Sequence, residues 1–299
     1  MTSPPRITIG MPVYNGAATI AQSIESLLAQ TCTDFEFIIS DNASTDNTAD
    51  LIADYARMDS RVRCIRQHCN LGSPGNYSFV ALAARGKYLK WAAAGDWCAP
   101  TFLERSLEAI QRDPDAVLAA PRTRLFSGDL SNARDYERDI EILEEQPLHR
   151  FFHQISEMQL NNAMNGLIRI SALRRTPLIE AYFHSDMVLM GRLALLGKFL
   201  LVNEPLLYRR MEPSTATSLQ SEAEKRHHYY AGVNAHSLFQ HWKLHLGWLR
   251  AVCSVPMPAG QRVKALEYVA RRCYWNLPAL RQDVWEACHY LTRSAQPAA

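Results

Sequence analysis

Between residues 6 and 120 the chain alternates apolar, strand-like runs with helix-like runs, joined by short connections of Gly, Pro, Asn and Asp. This pattern restricts the fold more than any other feature. Strands that alternate with helices are linked by crossovers, which yields a mainly parallel sheet flanked by helices. Strands are expected at Ile7–Val13, Phe35–Ser40, a short third segment and Tyr88–Trp91. One helix carries Ile20, Ile24, Leu27 and Leu28 on a face, and the next carries Leu51, Ile52, Tyr55 and Met58. A later helix, opened by Pro100, places Phe102, Leu103, Leu107 and Ile110 at helical spacing. The fold class is α/β.

The regularity then breaks. Residues 128–146 are charged and poor in apolar residues, and Asp135, Glu137, Asp139, Glu141, Glu144 and Glu145 read as a solvated face. It returns with Leu167–Ile170, a helix from Met187 to Leu196 stopped by Gly197, and two strands at Phe199–Val202 and Leu206–Arg210. From residue 218 no strand-like alternation remains, and helices are expected over 222–251, 260–275 and 278–293. The organisation is therefore an α/β domain over 1–217 with a C-terminal helical appendage over 218–299. Within the appendage His241 and His245 share a helical face, but the interleaved Trp242, Leu244, Leu246 and Trp248 favour a helix–helix interface over a metal site.

Bulk properties narrow the function. A length of 299 residues with 47% hydrophobic content suffices for one large core plus an appendage. The formal net charge of +2 gives no reason to expect a nucleic-acid partner. No apolar run approaches the ~18 to 20 residues that span a bilayer, and the polar start lacks a signal-peptide core, so a cytoplasmic protein is expected. Seven scattered cysteines without a Cys-x-x-Cys pair read as reduced, mostly buried small hydrophobes.

Four turns carry chemistry-bearing residues: Pro12-Val13-Tyr14-Asn15, Asp41-Asn42-Ala43-Ser44-Thr45-Asp46, Asn70-x-Gly72 with Gly75-Asn76, and Trp91-Ala92-Ala93-Ala94-Gly95-Asp96-Trp97. In this order they resemble the turns of family 2 glycosyltransferases, inverting enzymes with a GT-A fold, and the resemblance extends over roughly the first 215 residues. It implies a Rossmann-like nucleotide-binding half and a nucleoside-diphosphate sugar as donor. The family's fourth turn reads Asp-x-Asp-Asp or His-Asp-Asp and holds a divalent ion on the diphosphate. Here only Asp96 survives, and Met211 stands where a further histidine ligand would fall. A magnesium or manganese ion, which wants several oxygen ligands, is thus expected to be weakly bound or dispensable.

The resemblance assigns Asp41 to the imide N–H of a uracil or thymine base, Pro12, Tyr14 and Asn15 to the opposite wall, and Asn70, Gly72 and Asn76 to the turn that closes over the nucleotide. Read from residue chemistry alone, Asp41 also suits an Asx turn capping the next helix. Asp96 belongs near the diphosphate, where preorganised cations can replace an ion, and Arg209 and Arg210 are the nearest by motif position, with Lys90 less specific. Asp186 matches the family's general base, which accepts the proton of an attacking hydroxyl; its plain alternative is an N-terminal helix cap, and the neighbouring His184 is a packing residue or an acceptor contact. The acceptor is a hydroxyl of a glycan, lipid or small molecule. Arg262, Lys264, Arg271 and Arg272 with Tyr268, Trp275 and Trp285 suit a packing helix, with peripheral contact at the inner face of the membrane and a homodimer through the C-terminal helices as the alternatives. Two rivals remain: a degenerate homologue that binds nucleotide or glycan without turnover or serves as a partner subunit, and a sugar-1-phosphate nucleotidyltransferase. The second wants basic residues in the first turn, and Pro12 to Ala18 has none.

Overall fold

A computed structural model describes residues 4–212, Tyr230 and residues 238–294. The sheet is built from β1 (Ile7–Val13), β2 (Phe35–Asp41), β3 (Val62–Arg66), β4 (Tyr88–Trp91), β5 (Trp97–Cys98), β6 (Ala116–Phe126), β7 (Arg134–Asp135), β8 (Leu167–Arg169) and β9 (Lys198–Arg210). Their order is β3-β2-β1-β4-β8-β6-β9-β5, with β7 added to β6. β1, β2 and β4 are buried at every position, as expected of strands covered on both faces. The parallel pairing joins β3, β2, β1 and β4, and again β6 and β9. The antiparallel β8, wedged between β4 and β6, divides the two, so the sheet is mixed.

Helices α1 (Ile20–Leu28), α2 (Thr48–Met58) and α4 (Phe102–Arg112) close one face, where Ile9, Met11, Phe37 and Ile39 meet Ile24, Ile52 and Phe102. Helices α3 (Gly72–Ala83), α6 (Ile170–Leu173) and α7 (Ser185–Leu196) close the other, around Val80, Leu89, Trp91, Leu173 and Leu193. A third cluster joins α5 (Pro147–Glu157) and α7 to α8 (Gln240–Ser254) and α9 (Ala259–Trp275), and the last helix is α10 (Leu277–Ser294). Trp248 of α8 lies edge-on to Phe151 with ring centroids 5.6 Å apart, and it approaches Gly191 so closely that an added Cβ would sit 2.3 Å from its ring. The histidines of α8 are engaged separately, His241 with Asp283 and His245 with Asn276.

Several expectations need correction. The two strands expected after Gly197 are one long β9, which keeps its pairing with β6 through register shifts near Pro121 and Arg122. Gly197 ends α7 in an extended conformation rather than a left-handed one; a Cβ there would lie 2.4 Å from the Asp115 carbonyl oxygen, so close packing and not backbone freedom requires the glycine. Met58 points outward instead of into the core. The helix expected over 222–251 is described from Gln240 onward, and residues 222–229 and 231–237 lie outside the described residues. Of the cysteines only Cys98 is buried, while Cys69, Cys253 and Cys288 are exposed. Residues 128–146 are not simply solvated: Asp139 accepts from the Thr123 N–H at 2.6 Å, Asp135 pairs with Arg124, Glu144 with His153 and Glu145 with Lys198. The excursion is strapped to the sheet by its acidic side chains.

Candidate functional site

The carboxyl ends of β1, β2, β3 and β4 converge at one edge of the sheet, where open α/β folds place ligands. Asp41 ends β2 and is fully buried. Its Oδ1 accepts the Ser44 N–H at 3.0 Å, which braces the turn but does not cap the next helix, whose Thr48 N–H goes to Asp46 instead. Its Oδ2 has no hydrogen-bond partner, and the Arg66 Nε stands 3.6 Å away, on a side chain that is 58% exposed. A buried carboxylate oxygen left with a single, poorly placed cation is unsatisfied, and a base N–H delivered from solvent in place of Arg66 would satisfy it. Arg66 was not singled out from the sequence; its only signal is a cationic residue at the end of β3.

The first two turns lock together. Asn15 adopts a left-handed conformation (φ 51°), its N–H donates to Ser44 Oγ and its Oδ1 accepts the Thr45 N–H, both at 2.9 Å. Pro12 is buried in β1 beside Ser40, whereas Tyr14 is 41% exposed at the mouth. The third turn is equally braced. Asn42 Nδ2 donates to Asn70 Oδ1 at 2.8 Å, the Leu71 N–H donates to Asn42 Oδ1, and the Gly72 N–H donates to Asn70 Oδ1. Gly72 sits at φ 72°, a conformation that favours glycine. Asn76, buried, exchanges hydrogen bonds with Ser40, accepting from its hydroxyl at 2.6 Å and donating to its carbonyl at 2.9 Å. Asn70, Gly72 and Asn76 therefore tie the third turn to the second and to the end of β2.

The fourth turn crosses from β4 to β5. Ser23 of α1 fixes it by accepting the Gly95 N–H at 2.7 Å and donating to the Asp96 carbonyl at 2.6 Å. Asp96 Oδ1 accepts the Arg210 N–H at 3.0 Å. Burial pushes the Asp96 carboxyl above its usual range, against the pull of the Arg210 N–H, Arg209 and Lys90. Arg209 and Arg210 diverge because successive strand residues point to opposite faces. The Arg210 guanidinium is spent on the frame, donating to the Gly95 carbonyl, Gln22 Oε1 and the Gly128 carbonyl and lying over the Phe126 ring. The Arg209 guanidinium donates to Asn162 Oδ1 at 2.7 Å. Lys90 is buried behind the turn, donating to the Trp91 and Asn165 carbonyls and stacking 4.5 Å from the Phe102 ring centroid.

These residues do not fit a resident divalent ion. Asp96 is the only carboxylate of the turn and one of its oxygens is taken; Met211 offers only its backbone, to the Phe126 carbonyl. Among the described residues there is no cluster of three His, Cys, Asp or Glu side chains able to hold a metal.

The N-cap of α7 is His184, an exposed residue in left-handed conformation (φ 62°), whose side chain makes no capping hydrogen bond. Asp186 does not close its own helix end: its Oδ2 accepts from Asn161 Nδ2 at 2.8 Å, from a separate segment. Tyr77 of α3 packs its ring near Trp91 and accepts the Trp91 Nε1–H on its carbonyl. Its phenol is pushed up to about 12, first by burial and then by Asp96 and Asp186, with Arg209 opposing. Tyr77, Asn161 and Asn162 carry no motif in the sequence, and only folding reveals them.

The fold is that of known GT-A glycosyltransferases. TarS from S. aureus in complex with UDP superposes with a TM-score of 0.64 at 13% identity, covering 90% of this chain and 72% of that one. The mannosyltransferase PcManGT from Pyrobaculum calidifontis, in complex with GDP-Man and Mn2+, gives a TM-score of 0.57 at 14% identity, covering 99% and 77%. Residues 8–183 match the model for Glycosyl transferase family 2, and the chain belongs to that family. Among relatives, the glycosyltransferase GlyG of Streptococcus pneumoniae serotype 4 is 24% identical over 70% of this chain and 72% of its own length. The uncharacterized glycosyltransferase EpsJ of Bacillus subtilis (strain 168) is 31% identical over 36% of this chain, a match spanning 31% of EpsJ.

Proposed function

We propose that this family 2 chain transfers a hexosyl residue from a nucleoside-diphosphate sugar to a hydroxyl of a glycan, lipid or small-molecule acceptor, with inversion. The observation that carries the reading is the chain of hydrogen bonds that links Asp96 to Asp186: the Arg210 N–H donates to Asp96, its neighbour Arg209 donates to Asn162, and the adjacent Asn161 donates to Asp186. In this reading Asp41 Oδ2 accepts the imide N–H of the base while Arg66 swings aside, and Tyr14 and Pro12 form the facing wall. Asp186 accepts the acceptor hydroxyl proton as the oxygen bonds to the anomeric carbon; the bond from that carbon to the β-phosphate oxygen breaks, and the nucleoside diphosphate departs. A single displacement inverts the anomeric centre. Arg209 neutralises the charge that builds on the leaving diphosphate, a role open to a fixed cation. In this reading residues 1–217 constitute the catalytic unit and 218–299 the appendage, on whose described helices Tyr274, Trp275 and Trp285 are exposed and open to a membrane surface or a second copy. Among the described residues no helix is long and apolar enough to cross a membrane.

A second reading, a nucleotide- or glycan-binding homologue without turnover, is favoured by the loss of carboxylates at Ala93, Ala94 and Gly95. Thermal shifts with UDP-, dTDP- and GDP-sugars, with metal and with EDTA, followed by assay of nucleoside diphosphate release with glycan acceptors, separate the two. A ligand that binds the folded state raises the midpoint. Transfer supports the first reading, and binding by a protein that never releases nucleoside diphosphate supports the second.

A further inference from the structure

The short turn Asn162–Asn165 and the residue before it join Asp186 on α7 to Arg209 on β9 through consecutive side chains. Asn161 donates its amide N–H to Asp186 Oδ2 at 2.8 Å, and Asn162 accepts from the Arg209 guanidinium at 2.7 Å. Asn162 is itself anchored, donating to Asp139 Oδ1 at 3.0 Å, and Asp139 is tied to β6 by the Thr123 N–H and hydroxyl. Asn161 is oriented by charge. Its Oδ1 is buried without a partner, a cost that turning the amide over would not relieve, because the oxygen would then face a carboxylate.

We propose that Asn161 and Asn162 are a positioning pair: Asn161 aims the Asp186 carboxylate at the acceptor hydroxyl, and Asn162 aims the Arg209 guanidinium at the diphosphate. The inference rests on the transferase reading given above and adds to it two residues that touch neither substrate. Because both anchors come from one segment, a shift of that segment moves base and cation together, which keeps the attacking and leaving ends of the reaction in register. The strapped acidic stretch thereby acquires a role, since Asp139 fixes the segment against β6.

The chemistry at Asn161 gives a test whose sign a packing role would not reproduce. Asn161→Asp preserves shape but sets a carboxylate against a carboxylate, whereas Asn161→Ala only removes the donor. The expected order of kcat is parent above Asn161→Ala above Asn161→Asp, with the alanine variant down roughly ten- to a hundredfold, the scale of one hydrogen bond to a charged group. Dissociation constants for UDP, dTDP or GDP, whichever binds the parent, should stay within about twofold for both Asn161 variants, while Asn162→Ala weakens that nucleotide by about fivefold or more, part of a charged hydrogen bond's worth. Thermal midpoints measured alongside establish folding. An Asn161→Asp variant as active as Asn161→Ala or better, or nucleotide affinity moving equally in the Asn161 and Asn162 variants, overturns the proposal. A parent that binds nucleotide but transfers nothing overturns the transferase reading instead, and the Asn162→Ala titration still decides the Arg209 half.

Discussion

Asp41 does two jobs with its two oxygens, one bracing the turn and one unsatisfied below Arg66. Asp41→Ala should therefore weaken nucleoside diphosphate binding by about 1 to 3 kcal/mol, the worth of one or two hydrogen bonds, as read by isothermal titration. Equal affinities would remove Asp41 from the base pocket. Arg209 and Arg210 were indistinguishable in the sequence, since motif position names the pair and only strand alternation separates their directions. The structure makes distinct demands on them. Arg210→Ala should lower stability by about 1.5 to 3 kcal/mol through lost charged hydrogen bonds, measured by urea unfolding, whereas Arg209→Ala should cost less stability than Arg210→Ala and lose transfer. The reverse outcome would exchange their roles. The placement of Asp41 at the end of β2, of Asp96 in the turn after β4 and of Asp186 at the start of α7 was legible, because these positions are set by local motifs and their order. Arg66, Tyr77, Asn161 and Asn162 were not, because each gains its meaning from a partner on another segment.

Secondary structure elements were legible wherever burial imposes a period. β1 and β2 are largely apolar runs in which Thr8, Glu36, Ser40 and Asp41 are the buried polar exceptions, and the apolar face of α1 lies where its spacing places it. What failed was local punctuation overridden by tertiary contact. Two strands were expected, ending at Val202 and restarting at Leu206, yet β6 carries β9 through the irregularity, with Pro205 opposite Arg122. Gly191 gave no signal at all in the sequence, although α7 and α8 meet through it. Gly191→Ala would drive a Cβ into the Trp248 ring, and overpacking of this kind should cost about 1 to 3 kcal/mol by chemical denaturation. An unchanged midpoint would mean that α8 does not pack on α7 as described.

At the scale of the whole molecule, electrostatics sets both a stability profile and a dependence on cofactors. Burial pushes Glu36 up, but hydrogen bonds from Arg85 and Thr8 outweigh it and hold the carboxyl below its ordinary 4.5. A depressed carboxylate contributes stability above its unfolded value and loses it as pH falls through the folded one. The parent's thermal midpoint should accordingly drop as pH falls below about 4.5, and Glu36→Gln should start lower at pH ~7 and fall less steeply. Parallel curves for the two proteins would assign the acid sensitivity elsewhere. The fourth turn, with a single carboxylate, should leave transfer largely insensitive to EDTA, unlike a site with a full set of ligands. Complete loss in EDTA, with Arg209→Ala behaving like the parent, would mean that Asp96 and the phosphates hold an ion unaided. The account as a whole turns on Asp186 as the base rather than as part of a helix end, and its most direct test is the rate of nucleoside diphosphate release with a saturating acceptor for the parent and for Asp186→Asn. The account predicts a loss of ~100-fold or more, the scale of a missing general base, with nucleotide affinity and thermal midpoint unchanged. Transfer by Asp186→Asn at the parent rate would contradict it.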